Sequence, residues 1–359
     1  MRRIAYLLTC IVFFFFGLLN NAYGQARDIG NFIASGPADA EALLDAYLSP
    51  WINAFGGSMT GGWYNTAKPH ELGGFDVTLT FNTAFVPSKY KTFNVNELPL
   101  QTLALADGED PVAPTVAGSS DGGPQMQYDF GEGIRQNAFE MPPGTGYAYM
   151  PTPMIQVGVG LWFGTEIMGR FFPPVTFKQA KVGMWGVGLK HDIKQWIPGL
   201  KDVPVLNISL MGGYTKLNSG VGLEVTPQKV GLQGYIDVDP SVWENQDMIL
   251  KTSSFTANLL ISADIPIVTF YGGIGFANTK TNLKFEGYYP MIVDVDGGIP
   301  NVGAVENPID FEVKNQDGGV TKPRLNVGMR LKFGVFTMHF DYVRANFNIA
   351  SFGLGLSFR

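Results

Sequence analysis

Three titratable side chains near the C-terminus, Arg330, His339 and Asp341, have the types needed for a proton relay. The sequence alternates in polarity on either side of a Gly-Val pair, so a two-residue turn would place His339 opposite Arg330, with Asp341 diagonal to it. Hydrolysis would also need a serine oriented by the histidine, but the nearest hydroxyl is that of Thr337. We therefore expect no enzyme, with lipid modification as a remote alternative. We interpret the charges as an interior salt-bridged cluster of Arg324, Arg330, Lys332, His339 and Asp341.

A second group, Lys190-His191-Asp192, combines residue types that bind metals or carboxylates. One histidine beside one aspartate falls short of a metal site, and the whole chain has three histidines and one cysteine. We expect no metal and no cofactor. Helical spacing downstream instead predicts a short helix at the rim of the fold, capped by Asp192 and involving His191, Asp192 and Trp196.

The overall composition excludes several classes of protein. The 359 residues include 45 Gly and 23 Pro, and 13% are aromatic while only 16% are charged. The aromatic content argues against a disordered chain, and the Gly and Pro content argues against a coiled coil or helical bundle. Mean hydropathy is +0.07, which is too low for a helical multi-span membrane protein. The net charge of −6 leaves no basic surface for nucleic acid.

The first 24 residues have the layout of a secretory signal peptide. Two arginines precede an apolar run over residues 4–19, and small residues follow at 22–24. The run is shorter than the roughly 20 residues that a membrane-spanning helix needs. We expect cleavage after Gly24, which removes Cys10 and leaves an exported chain without cysteine.

Beyond Gly73 the sequence alternates between apolar and polar residues, which is typical of β-strands. The stretches with this pattern are 73–86, 153–163, 165–172, 179–190, 203–216, 252–265, 267–285, 321–333, 335–344 and 347–358. Residues 221–238 could add two more. The long connections follow odd-numbered strands and therefore share one side of the fold: 87–152, 217–251 and 286–320.

Alternation alone suits either a soluble sandwich or a membrane barrel. In a sandwich the apolar face would meet a second sheet, whereas in a barrel it meets lipid and the polar face lines the lumen. The export signal, the one-sided long connections and the aromatic-terminated last strand, with Phe358, favour the barrel. We predict an all-β fold in which residues 73–359 form a transmembrane antiparallel β-barrel.

A helix precedes the strands, within a segment that we assign to residues 25–72. We expect Ser35 to cap it, Pro50 to kink it and Gly56-Gly57 to end it. The sequence allows the helix to pack on the body of the fold or to plug the barrel mouth, and we adopt the plug. Trp63-Tyr64 could wedge in the lumen or anchor at the membrane interface. The apolar side chains at helical spacing are Leu43, Leu44, Tyr47, Leu48, Trp51, Ile52 and Phe55.

Residues 62–70, with the sequence Gly-Trp-Tyr-Asn-Thr-Ala-Lys-Pro-His, and residues 73–76, Gly-Gly-Phe-Asp, carry a family resemblance. They resemble an uncharacterised Bacteroidota outer-membrane β-barrel family, a domain of unknown function, as does the turn at 187–192. A helical hatch before a barrel is more distantly similar to the long-chain fatty-acid transporter superfamily, which includes barrels of the type IX secretion system. The resemblance implies 12 to 14 strands, so the expected range is about 10–14. It implies a Gram-negative outer membrane and no established activity.

Two hypotheses about function follow. The first is a barrel that binds or passes a small hydrophobic or amphipathic molecule. The second is a structural or assembly partner of an envelope secretion or gliding apparatus, which would use the long connections. The expected partners are outer-membrane lipid, a small hydrophobic ligand and an envelope protein, and not nucleic acid.

Overall fold

The computed structural model describes residues 29–131, 133–177, 179–232, 239–296, 299–315 and 321–358. The predicted signal peptide lies outside these residues. One long helix, α1 (Pro37–Ser58), precedes the strands. In chain order the strands are β1 (Phe75–Phe85), β2 (Thr92–Asn94), β3 (Leu103–Leu105), β4 (Val112–Pro114), β5 (Gln125–Asp129), β6 (Arg135–Glu140), β7 (Tyr149–Gly160), β8 (Thr165–Phe177), β9 (Ala180–Asp192), β10 (Leu206–Leu223), β11 (Gln246–Asp264), β12 (Val268–Glu286), β13 (Tyr288–Asp296), β14 (Ile299–Glu306), β15 (Ile309–Glu312), β16 (Thr321–Phe333), β17 (Phe336–Arg344) and β18 (Asn348–Phe358).

Ten of these strands form a closed antiparallel barrel. Hydrogen-bonded neighbours follow the order β11-β10-β9-β8-β7-β1-β18-β17-β16-β12, and β12 pairs with β11 to close the ring. The seam between the first and last strands, β1 and β18, is in register from Phe75↔Phe358 to Phe85↔Asn348. The predicted barrel is confirmed, and its ten strands match the count from alternation rather than the 12 to 14 that the family resemblance implied.

The burial of the wall strands is the reverse of that in a soluble protein. On β1, the apolar Phe75 and Val77 are 40% and 41% exposed, whereas the polar Asp76 and Asn82 are 7% and 0% exposed. In a transmembrane barrel the outer face contacts lipid and is apolar, whereas the inner face makes polar contacts and is polar. The fold is therefore that of a transmembrane barrel.

The two rims of the barrel differ in their connections. Residues 86–148, 224–245 and 287–320 connect strands at one rim, which we call the long-loop rim, and they contain β2–β6 and β13–β15. The opposite, short-turn rim carries the turn at Gly334, whose φ of 62° favours glycine. Residues 221–238 add no pair of strands within the described part, because β10 runs on to Leu223.

Helix α1 lies at the long-loop rim, enclosed by the long connections. Leu43 and Leu44 share an apolar core with Met126 of the first connection and Tyr289 of the third. The Asp39 carboxylate accepts hydrogen bonds from the backbone N–H groups of residues 101, 102 and 103 at 2.6–2.9 Å. We call these connections the cap.

Two local predictions about the helix, its cap and its end, were wrong, and the kink at Pro50 stays a prediction. Ser35 does not cap it, because its hydroxyl donates to the Asn31 carbonyl, and Gly36 with φ 100° is the N-cap. The helix continues through Pro50 and the two glycines to Ser58. Burial on several sides holds these poor helix formers in place, since tertiary packing overrides intrinsic propensity. Among the described residues, no helix has both the length and the apolar character needed to cross a membrane.

Residues 59–72 leave the helix and run down the lumen to the short-turn rim, where β1 begins. We call them the descending segment, and α1 with this segment the plug. Met59, Trp63 and Ala67 are 0–1% exposed. The barrel interior is thus filled by the N-terminal part of the chain.

Candidate functional site: the plugged lumen

The upper wall holds the descending segment by its backbone carbonyls. Arg170 on β8 donates to Met59 O at 3.1 Å and Gly61 O at 2.7 Å. Arg324 on β16 donates to Thr60 O at 2.8 Å. An extended segment cannot satisfy its own carbonyls in an enclosed lumen, so donors on the wall are required.

The lower wall continues the same arrangement. Gln156 on β7 donates to Trp63 O at 3.1 Å, Lys190 on β9 reaches Thr66 O at 3.5 Å, and Ser209 on β10 donates to Ala67 O. The donors come from different strands around the ring. The inner face of the wall therefore presents a series of hydrogen-bond donors to the backbone carbonyls of the descending segment.

The indole of Trp63 occupies a recess made by two glycines. A Cβ at Gly188 would lie 2.7 Å from the indole and one at Gly213 would lie 2.6 Å from it, so only glycine fits at either position. On its other side, the Arg170 guanidinium carbon stands 3.7 Å from the ring centroid, within cation–π distance. Of the two placements considered for Trp63-Tyr64, the structure places Trp63 in the lumen.

The predicted lumen cluster lies on β16 and β17 but is not a salt-bridge lattice. Arg330 is in register with His339. Within the described residues, however, no ion pair within 4 Å joins members of the cluster. Asp341 instead accepts from the Tyr271 hydroxyl at 3.3 Å, and Arg330 donates to Ser357. Arg324, Arg330, His339 and Asp341 are buried, and Lys332 is half-buried. Members of the cluster are bonded to the plug and to other wall residues instead of to one another, as Arg324 is to Thr60 O of the plug.

A second cluster, which we call the foot cluster, joins the lower end of the plug to the short-turn rim. The Glu166 Oε2 atom accepts from the backbone N–H of His70, contacts its Nδ1 at 2.9 Å, and pairs with Lys190 Nζ at 3.1 Å. His70 Nε2 lies 3.3 Å from the Ser357 hydroxyl on β18. One plug histidine thereby bridges β8, β9 and β18.

Ser357, His70 and Glu166 stand in the order of a hydrolytic hydroxyl–imidazole–carboxylate triad. The hydroxyl is only 3% exposed and already accepts from Arg330 at 3.3 Å. Ligand atoms of His70, Asp76 and Glu166 lie within 4.8 Å of one another, which is close enough for a metal, but the Lys190 ammonium occupies the cation position beside Glu166. This arrangement is suited to fastening the plug.

The predicted rim helix is a single 3₁₀ turn, Lys194–Trp196. Asp192 accepts from the Lys194 backbone N–H at 2.8 Å, as a cap does. His191 lies against Trp196 with ring centroids 4.9 Å apart, and Trp196 is 67% exposed.

The predicted plug-helix residues divide by exposure. Leu43, Leu44, Tyr47 and Ile52 are buried, and Leu48, Trp51 and Phe55 are half-buried. Burial raises the pKa of Asp45 on the same helix, although hydrogen bonds and the charge of Lys314 oppose the shift. Asp45 therefore joins α1 to the third long connection, where the Lys314 backbone N–H donates to it at 3.1 Å and the Lys314 ammonium lies 3.6 Å away.

No sequence pattern pointed to a function for Arg170, Gln156, His70 or Glu166, and the pattern that singled out Lys190 did not supply its carboxylate partner, Glu166. Each lies at an inward position of an alternating strand or in the resembling motif, so its polarity was visible, but its partner was not. Recognising that the descending segment runs through the lumen would have assigned all of them.

Comparison with known proteins identifies one family and several distant structures. Residues 1–358 match a family of unknown function (DUF6588). No curated protein matches the chain. The translocator domain of the autotransporter NalP from Neisseria meningitidis is similar at 10% identity and TM-score 0.30, covering 81% of this chain and 89% of that one. The attachment invasion locus protein Ail of Yersinia pestis, in complex with sucrose octasulfate, has 8% identity and TM-score 0.26, covering 80% and 98%. The toluene transporter TbuX of Ralstonia pickettii has 8% identity and TM-score 0.23, covering 81% and 90%.

Proposed function

The chain belongs to a family of unknown function, DUF6588, and we propose that it is a gated outer-membrane barrel that binds or passes a small hydrophobic or amphipathic molecule when its plug moves. The outer-membrane location is supported by the apolar outer face and by long connections confined to one rim. Cleavage after Gly24 and the Bacteroidota origin stay predictions.

One observation carries this proposal: the lumen is filled by a separable segment rather than by side chains of the wall. Wall donors bind backbone carbonyls of the segment, such as Gly61 O and Trp63 O. Water or a ligand can replace contacts of this kind, because hydrogen bonds exchanged with water have small net free energies. The site is therefore suited to release of the plug.

The lining of the vacated route would suit an amphipathic molecule. At the long-loop rim, the connections would line it with apolar side chains such as Met126 and Tyr289, which pack against α1 while the plug is in place. Deeper in the lumen the wall offers donors, including Arg170 and Arg324. An apolar entrance above a polar interior matches a molecule with an apolar body and an acceptor group.

A reversible lock tests the proposal. The side-chain oxygens of Thr66 in the plug and Ser262 on β11 are 3.2 Å apart, so Thr66→Cys with Ser262→Cys should form a disulfide. In proteoliposomes, we expect the oxidised protein to block ion conductance and entry of a small amphipathic dye, and reduction to restore both. Each single-cysteine variant is the control. Equal flux in the oxidised and reduced double variant would contradict a moving plug.

A second function, as a partner of an envelope apparatus, is favoured by the cap. The first long connection is not a simple loop, because it contains β2–β6 and contributes Leu103 and Met126 to a buried core. Such a surface could bind an envelope protein. Shortening residues 86–148 should then abolish co-purification of that protein while leaving the barrel in the membrane.

A further inference from the structure

Three lysines form a basic triangle on the outer face of β10, β11 and β12. Lys216, Lys251 and Lys280 are all exposed. Lys216 and Lys280 are both in register with Ser253, which lies two residues from Lys251 on the strand between them. Strand spacing of about 4.8 Å and diagonal separations of about 7–8 Å place the three ammonium groups within reach of one anion.

The positive charge of the triangle is not neutralised by an ion pair within the part of the chain that the structure describes. None of the three lysines makes an ion pair there, whereas Lys284, further along β12, pairs with Glu286 at 2.9 Å. The exposed Glu312 is in register with Asn282, two residues from Lys280, yet no ion pair forms between them. Clustered like charges repel one another, so an anion from outside would stabilise this face.

Aromatic side chains fix the height of the triangle in the membrane. On the side towards the short-turn rim lie the ring pairs Trp185–Tyr214, with centroids 5.9 Å apart, and Phe255–Phe276, at 6.1 Å. Aromatic belts of this kind mark the boundary between hydrocarbon and headgroups. The lysines therefore lie at headgroup level on the long-loop side.

An apolar groove lies nearer the short-turn rim than the triangle, on β10, β11 and β12, and it extends to β9 on one side and to β16 on the other. It has a volume of about 1190 Å³, and its walls include Leu210, Leu259, Ile274 and Phe276. Gly212 and Ala257 form its floor, and a Cβ at Gly212 would meet nothing nearer than 4.0 Å. Most of the lining side chains are apolar, as an acyl chain requires, and Lys322, Arg324 and Arg344 also belong to the lining.

We propose that this face binds one class of lipid, an outer-leaflet lipid with a phosphorylated headgroup. The phosphate pairs with Lys216, Lys251 and Lys280, and an acyl chain lies in the groove below. The inference rests on the outer-membrane location proposed above, and it does not depend on movement of the plug.

The test measures lipid binding to the intact detergent-solubilised barrel by native mass spectrometry. The probes are a bisphosphorylated lipid A and the same lipid after removal of its phosphates. The variant is Lys216→Gln with Lys251→Gln and Lys280→Gln. The control triple, Lys89→Gln with Lys201→Gln and Lys229→Gln, removes the same charge from exposed positions on the connections.

We expect the wild type and the control triple to prefer the phosphorylated lipid, and the triangle variant to bind it at least ten-fold more weakly. One lysine near an anionic surface contributes about five-fold in affinity. Higher salt should reduce the preference of the wild type.

The proposal is overturned by undiminished binding to the triangle variant, by equal binding of both lipids to the wild type, or by complete displacement by millimolar inorganic phosphate. Since conductance of the disulfide-locked barrel is measured separately, failure here leaves the gating proposal unaffected.

Discussion

Arg170 connects more parts of the lumen than any other single side chain described above. It donates to Gln156 Oε1 at 2.9 Å, to two plug carbonyls, and stacks on Trp63. A planar guanidinium with five donors can make these contacts at once, which a lysine cannot. Retention of the plug should therefore depend strongly on this residue.

Replacing Arg170 should loosen the plug. Arg170→Ala leaves Met59 O without its donor and Gly61 O with only the long bond from Asn82 Nδ2 at 3.3 Å. Hydrogen bonds to charged groups contribute about 1.5–3 kcal/mol each. We expect raised ion conductance in planar bilayers, with the barrel still folded. Arg135→Ala is the control, because Arg135 is 44% exposed and pairs with Asp107 on a connection. If both variants conduct like the wild type, Arg170 does not retain the plug.

Asp45 should make the packing of α1 against the cap sensitive to pH. Because burial raises its pKa above the ordinary value of 3.8, the folded protein binds the proton more tightly than the unfolded chain does. The free energy of unfolding α1 should therefore rise as pH falls through the raised pKa towards 3.8. Hydrogen exchange of α1 between pH 7 and 4 measures this, and Asp45→Asn should remove the change. Glu41→Gln, an exposed change on the same helix, should keep it.

At the scale of elements, two glycines on neighbouring strands allow the plug to pack closely against the wall. Gly188 on β9 and Gly213 on β10 are directly in register, so they form one recess for Trp63. The neighbouring Gly212 faces outwards and has open space around it. Gly212 and Gly213 thus lie on opposite faces of the same strand.

This pair of glycines supports a matched experiment. Gly213→Ala would bring a Cβ to 2.6 Å from the indole and displace the plug, whereas Gly212→Ala should change little. We expect higher conductance for Gly213→Ala alone. Adding Trp63→Ala should make the alanine at 213 tolerable, so that the double variant conducts no more than Trp63→Ala. A conductance increase in Gly212→Ala as large as that in Gly213→Ala would show that the recess is not responsible.

The strands could be predicted from the sequence, whereas the site in the plugged lumen could be predicted only in part. The reason is physical. Alternation is a local property, so 335–344 and 267–285 were assigned to within a residue of β17 and β12. Prediction failed where strands leave the lipid, as in β10, which extends to Leu223 instead of 216. The inward residues Leu217 and Leu223 are apolar there and pack in buried clusters, so the alternation of the lower strand is reversed. Register predicted Arg330 opposite His339. The foot cluster joins His70 to Ser357, 287 residues apart, and no local pattern carries such a contact.

At the scale of the whole molecule, the two rims have different roles. The long connections that form the cap lie with α1 at one rim, and the foot cluster fastens the plug at the other. If the barrel lies in the outer membrane, the cap faces the exterior and the foot faces the periplasm.

Cysteine labelling tests this orientation. The exported chain is expected to contain no cysteine, so a single new thiol reports its own location. Glu109→Cys on the first long connection and Lys201→Cys at the short-turn rim are both at exposed positions. On intact cells, a membrane-impermeant maleimide should label position 109 and should reach 201 only after the outer membrane is permeabilised. Labelling of 201 alone would reverse the assigned orientation.

The placement of α1 and β1 at opposite rims dictates an order of events in biogenesis. The 22-residue helix is too bulky to be threaded through a finished ring. The leading part of the chain must therefore cross the bilayer while the sheet is still open, and β1 must join β18 around it. Any machinery that inserts this protein into the membrane therefore has to hold an open sheet that already surrounds the N-terminal plug.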